Sequence, residues 1–183
     1  MDVRDNTKYA FANAIKKLLQ NKDLNQIRIT ELCALCGAER PTFYYHFRDK
    51  YDLINWIFDT DFAAITDKYG DDNWVMLRKT CTYLYENHCF YRKALGISGQ
   101  NSFQEHFKEK VRPLIEHSFS EMFPEGDDWS FQIGILTDTL LIAFKHWLTA
   151  REPMTDKEFL EQCKLGIQFT SGKIKEFEQR GIM

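Results

Sequence analysis

The stretch Arg40-Pro41-Thr42-Phe43-Tyr44-Tyr45-His46-Phe47-Arg48-Asp49-Lys50 decides how this chain reads. Pro41 suits the opening of a helix, where a missing N–H costs nothing. Phe43 and Phe47 lie four residues apart, so on a helix they face inward together. Their burial fixes the outward set as Arg40, Thr42, Tyr44, Tyr45 and His46. The helix is hardly two turns long. Arg48-Asp49-Lys50 punctuates it, with Asp49 placed to cap the next helix and Asp52 in that helix's first turn, where an acid suits the dipole.

Working backward, Thr30 is a good N-cap for a short helix with Leu32, Cys33, Leu35 and Cys36 inward, and Gly37 ends it. A short helix, a glycine-containing turn and a second short helix make a helix-turn-helix, whose second helix enters the major groove of DNA. The outward side chains suit that role. Arg40 pairs with guanine O6 and N7, and the Thr42 methyl touches a thymine methyl. The Tyr44 and Tyr45 hydroxyls and His46 donate to phosphates and set the register. Thr30, with the free N–H groups at its helix start, makes an anion site. Arg28 stands beside it, and Lys50 opens the next helix as a further phosphate contact. The alternative is that Tyr44 and Tyr45 merely cover the core. Three exposed rings on one short helix argue against that.

Further out, Asn6 and Thr7 cap a first helix to about Gln20, with Phe11, Ala14, Ile15 and Leu18 on one face. Asn21 to Asn25 is a polar break. Past the quoted stretch, Ile54, Ile57, Phe58, Phe62 and Ile65 mark a helix to about Tyr69. Gly70-Asp71-Asp72-Asn73 then breaks the chain. Helices are expected at roughly 73–91, 102–123, 129–150 and 156–178, with residues 95–101 as a joint. No β alternation, repeat or low-complexity tract occurs. The expected fold is all-α: a DNA-binding domain over residues 1–50 and a helical dimerisation and sensing body over residues 51–183.

The bulk properties agree. The chain has 183 residues, of which 44% are hydrophobic and 15% aromatic, enough to bury a real core. Four Pro and nine Gly leave few helix breakers. The net charge of −3 argues against a general nucleic-acid coat, but its distribution is uneven. Residues 1–55 carry nine Lys/Arg against seven Asp/Glu, and the remainder fifteen against twenty. No run of eighteen apolar residues exists, so no membrane span is expected. The start of the chain lacks the apolar core of a secretory signal. Five cysteines in no framework spacing read as reduced thiols of a cytoplasmic protein.

Two helices point to a homodimer. Leu160, Cys163, Ile167, Thr170, Ile174 and Phe177 step by three and four along the last helix. The helix before it is apolar nearly all round, from Ile133 to Leu148, and a two-fold partner is the economical way to bury its outer face. Two recognition helices about one turn of DNA apart then read a palindrome-like operator in double-stranded DNA.

The quoted stretch, continued through Tyr51-Asp52-Leu53, resembles the recognition-helix signature of the tetracycline-repressor (TetR) family. Thr30-Glu31-Leu32-Cys33 through Gly37 resembles the helix that precedes it there. The resemblance covers about residues 7–58. It implies a homodimer, a three-helix DNA-binding domain and a body that often binds a small inducer. It places the DNA contacts on Arg28, Thr30, Arg40, Thr42, Tyr44, Tyr45, His46 and Lys50. Cys33 stands where the family often has Ala, and Glu39 sits in a turn that is often neutral. Phe90-Tyr91-Arg92-Lys93-Ala94-Leu95 with Gly99 to Phe103 resembles regulators of dihydroxyacetone-kinase operons, for which a partner protein can supply the signal.

The function expected is therefore a homodimeric repressor released by a small molecule. The alternative is a DNA-bound co-activator that takes its signal from a partner protein. An inducer pocket would draw on Trp74, Tyr83, Tyr91, Asn101, His106 and Trp147, since such cavities combine aromatic walls with a few polar groups. No cofactor, metal or catalytic residue is expected. Cys33-Ala34-Leu35-Cys36 has no second pair to complete a zinc site, and both thiols fall on the inward face. No P-loop, G-x-S-x-G or H-E-x-x-H occurs, which lowers the enzyme reading.

Overall fold

A computed structural model describes residues 3–70, 72–97, 102–120 and 128–181. Among them are nine α-helices and no strand: α1 (Val3–Leu19), α2 (Ile29–Cys36), α3 (Arg40–His46), α4 (Lys50–Tyr69), α5 (Asn73–Glu86), α6 (His88–Leu95), α7 (Phe103–Phe119), α8 (Ser130–Thr149) and α9 (Asp156–Gln179). A single turn of 3₁₀ helix, Leu24–Gln26, joins α1 to α2. The all-α expectation holds.

The first three helices close around Phe11. Its ring meets Phe43 edge-on at 5.2 Å and Phe47 at 6.3 Å, so the two phenylalanines of the quoted stretch do face inward. Helix α4 is shared. It packs on α1 at one side and on α5 and α7 at the other, so the core runs on through it without a gap. Phe58 is the joint: it stacks on Phe62 and meets Tyr91, Phe103 and Phe107. The far end of the body is sealed by Phe144, Trp147 and Phe159, with Trp147 and Phe159 stacked at 4.1 Å. A cut at residues 50/51 thus falls in the first turn of a helix that both halves use.

Several local expectations hold. Asp49 Oδ1 accepts from the Tyr51 and Asp52 N–H groups, and Gly37 ends α2 at φ +62°. Others are corrected. Thr30 lies inside α2, one residue past its start. The helix is closed instead by Glu31, whose carboxylate accepts the Arg28 N–H at 3.0 Å. Leu35 points outward, because an eight-residue helix buries only a narrow stripe, here Leu32 and Cys33. The helix expected over 73–91 is two helices. Asn87 Nδ2 donates to the Tyr83 carbonyl, and the chain turns there. The expected joint overlaps α6, which runs to Leu95, and residues 98–101 lie outside the described set, as do residues 121–123 of the helix expected over 102–123.

Candidate nucleic-acid interface

The interface begins with a glycine. Gly37 must adopt a left-handed backbone to swing α3 across α2, and a Cβ there would meet nothing within 4 Å. The demand is therefore on conformation alone. Once α3 is placed, Phe43 and Phe47 are buried and the outward set follows. Arg40 is exposed, Tyr44 is 50% and Tyr45 68% exposed, and Thr42 and His46 are half-buried. The Arg40 guanidinium lies 5.9 Å from the Tyr44 ring centre, which steadies it without using its donors.

A shallow groove of about 420 Å³ runs between the start of α2 and the α3–α4 joint, lined among others by Arg28, Thr30, Arg40, Tyr44 and Arg48. Arg28 and Thr30 are both exposed on it. Glu31 is occupied: the Lys22 ammonium and the Arg28 N–H hold its carboxyl below the usual glutamate range. Along the groove itself Arg28, Arg40, Arg48 and Lys50 outweigh Asp49, so its charge is positive. Arg48 belongs to this set and was missed in the sequence, where it reads as punctuation. Its guanidinium is largely exposed, tied at 3.3 Å to Asp52 one turn ahead. The signal was its place just before the Asp49 cap, which puts it at the mouth of a helix.

The Lys50 ammonium, expected to meet a phosphate, is engaged within the chain. Its ammonium lies 2.6 Å from the Leu24 carbonyl, 3.0 Å from that of Ile27 and 3.2 Å from that of Asn25. All three of its donors face backbone carbonyls of the α1–α2 joint. Burial pushes its pKa below the usual lysine range, with Asp49 opposing. In this structure Lys50 fixes the loop that presents Arg28 and Thr30. The Tyr51 hydroxyl donates to Asn25 Oδ1 at 3.2 Å, and Lys93 of α6 donates to the Lys22 carbonyl at 2.8 Å. The body thus grips the reading head through this joint.

The residues expected to line an inducer pocket are not brought together as one cavity wall. Trp74 is 61% exposed near the start of α5. Tyr83 donates to Asp61 and bonds Tyr91 at 2.7 Å, and burial pushes both phenols above the usual tyrosine range. Trp147 is packed between Tyr85 and Phe159. Asn101 lies outside the described residues. His106 borders an open space at the junction of α4 and α7.

Among the described residues no cluster of His, Cys, Asp or Glu is arranged to hold a metal ion. Cys33 is buried, Cys36 half-buried, and burial raises both thiols above the usual range, so the C-x-x-C pair packs. No described helix is long and apolar enough to cross a membrane.

Comparison with known proteins gives these features a family. A family model for the transcriptional regulator C-terminal region, of TetR type, matches residues 72–168. The chain is 30% identical over 129 residues to the HTH-type dhaKLM operon transcriptional activator DhaS of Lactococcus lactis subsp. lactis (strain IL1403), covering 68% of this chain and 67% of the relative. Two solved structures share the fold. A dihydroxyacetone kinase operon activator DhaS superimposes with a TM-score of 0.63 at 24% identity, over 87% of this chain and 93% of the other. A TetR transcriptional regulator from Streptococcus agalactiae 2603V gives 0.66 at 22% identity, over 87% and 92%. The chain belongs to the TetR family of transcriptional regulators and has a body of the DhaS kind.

Proposed function

We propose that the chain acts as a homodimer that reads a palindrome-like site in double-stranded DNA. In this reading α3 lies in the major groove, and Arg28, Thr30 and Arg48 meet the flanking phosphates. The observation that carries it is the split face of α3: Phe43 and Phe47 are locked in the core while Arg40, Tyr44 and Tyr45 stand in solvent beside an arginine-lined groove. Residues 1–50 supply the contacts, and the remainder sets their spacing and state.

Support for the dimer lies on α8 and α9. Phe131, Ile135 and Ile142 are exposed along α8, and Ile167 and Phe169 on α9, with Phe131 74% and Phe169 73% exposed. Large apolar side chains left in solvent along two helices suit burial against a partner. In an isologous dimer the same patch covers itself.

Control by a small molecule remains the reading for the signal, because a ligand preferring one spacing of the two heads shifts the population toward it. The sign is better supported as activation than as repression. Both DhaS relatives are described as operon activators, and one is 30% identical to this chain. A second reading, a DNA-bound co-activator driven by a partner protein, is favoured by the packing of Tyr83, Tyr91 and Trp147 into the core, where no inducer reaches them.

The test is a reporter fused to the DNA upstream of the chain's own gene, with and without the protein. Activation requires output to rise with the protein and to fall back with Tyr44→Ala. Output that drops when the protein is added supports repression.

A further inference from the structure

The joint between α1 and α2, residues 22–27, is held by two lysines from other helices. Lys50 of α4 donates to the carbonyls of Leu24, Asn25 and Ile27, and Lys93 of α6 donates to that of Lys22 at 2.8 Å. The Lys93 ammonium also lies 3.6 Å from the Asp23 carboxylate. The Asp23 side chain is 76% exposed, so solvent screens that pair and the bond to the carbonyl sets the geometry.

Lys93 acts from a fixed platform. Phe90, Tyr91, Ala94 and Leu95 of the same helix are buried. Tyr91 bonds Tyr83 of α5 at 2.7 Å, and the Lys16 ammonium of α1 lies 5.8 Å from the centre of the Phe90 ring. Helix α6 also packs on α7 and α8. Residues 90–95 are thus anchored in the body while Lys93 reaches the head.

From Lys22 the contacts continue into α2. The Lys22 ammonium pairs with one oxygen of Glu31, and the other oxygen accepts the Arg28 N–H at 3.0 Å. The second of these bonds closes the start of α2. A run of polar contacts therefore leads from α6 to the backbone of Arg28, on the groove beside α3, without passing through α4.

We propose that Lys93 is a positioning residue for DNA reading: through Lys22 and Glu31 it sets where α2 begins, and with it the placement of Arg28 and Thr30. Helix α6 is then the element by which the arrangement of the body reaches the head. The consequence for DNA rests on the reading of the chain as a DNA-binding regulator; the hold on the joint does not.

The experiment is amide hydrogen exchange on the full-length protein, comparing the parent with Lys93→Met, Lys22→Met and the double variant. Binding to the DNA upstream of the chain's own gene is measured on the same samples. Lys93→Met keeps the aliphatic stem and removes the donors. Protection across residues 24–32 should fall about fivefold while that of α8 stays unchanged, an effect of the size found along coupled networks. Lys22→Met should act alike, and the double variant should lose less than the product of the two single effects, because both cut one chain of contacts. Lys93→Arg, which keeps a donor, should restore most of the protection. Affinity for the upstream DNA should fall with Lys93→Met while the slope of log affinity against log salt stays the same.

Unchanged protection of residues 24–32 in Lys93→Met, an equal loss in α8, or single effects that multiply in the double variant each overturns the proposal. So does a loosened joint with undiminished DNA affinity, or a lowered salt slope, which would make Lys93 a phosphate contact. A parent protein with no preference for its upstream DNA counts against the regulator reading, and the exchange data still decide whether Lys93 holds the joint.

Discussion

The Lys50 ammonium sits 2.6 Å from the carbonyl oxygen of Leu24, twenty-six residues earlier in the chain. With Asn25 and Ile27 it closes a cage of three carbonyls around one positive charge. The first residue of α4 thereby fastens the loop that launches α2, and the position of Arg28 and Thr30 depends on it.

Lys50→Met should therefore destabilise the fold by about 1.5–3 kcal/mol, the range for hydrogen bonds to a charged group. Urea denaturation measures it. DNA affinity should also fall, but the slope of log affinity against log salt should stay the same. A lysine bound to phosphate would instead lower that slope by about 0.9 on its removal.

Arg40 carries the sequence preference in this account. Arg40→Ala should leave folding intact, since the side chain is exposed and its guanidinium rests over the Tyr44 ring at the surface. Discrimination at one base pair should relax by about 1–3 kcal/mol. Competition among operators mutated one position at a time reads this directly, and uniform loss across all of them would move Arg40 to a phosphate.

The dimer patch predicts a clean separation of fold from assembly. Phe131 and Phe169 are exposed in the single chain, so Phe131→Asp with Phe169→Asp should keep helical content while giving a monomer by sedimentation. Losing the second reading head should abolish specific binding to a two-half-site operator.

Glu31 predicts a pH dependence. Lys22 and the Arg28 N–H depress its folded pKa. A depressed carboxylate stabilises the fold above its unfolded pKa of about 4.3, and that contribution fades as pH falls through the lower folded value. The melting temperature of the parent should thus exceed that of Glu31→Gln near neutrality, and the two should converge in acid.

Much of this was legible in the sequence. Phe43 and Phe47 at four-residue spacing gave the inward face of α3, and Asp49 and Gly37 marked helix ends by their own chemistry. What escaped the sequence depends on tertiary partners. Lys50 looks like any exposed lysine until the Leu24 turn folds over it. Thr30 is a better cap by composition than Arg28, but Glu31 satisfies the Arg28 N–H and starts the helix earlier. Tyr83 and Trp147 have the composition of pocket walls, and long-range packing on Asp61 and Phe159 makes them core.

The most direct test of the central claim is binding of the purified protein to its own upstream DNA and to random DNA of equal length, each at two salt concentrations. The account predicts a specific complex that the random sequence does not compete away and that weakens steeply with salt. Equal affinity for both DNAs at each salt concentration would contradict it, leaving the helix-turn-helix as a structural unit without a reading function.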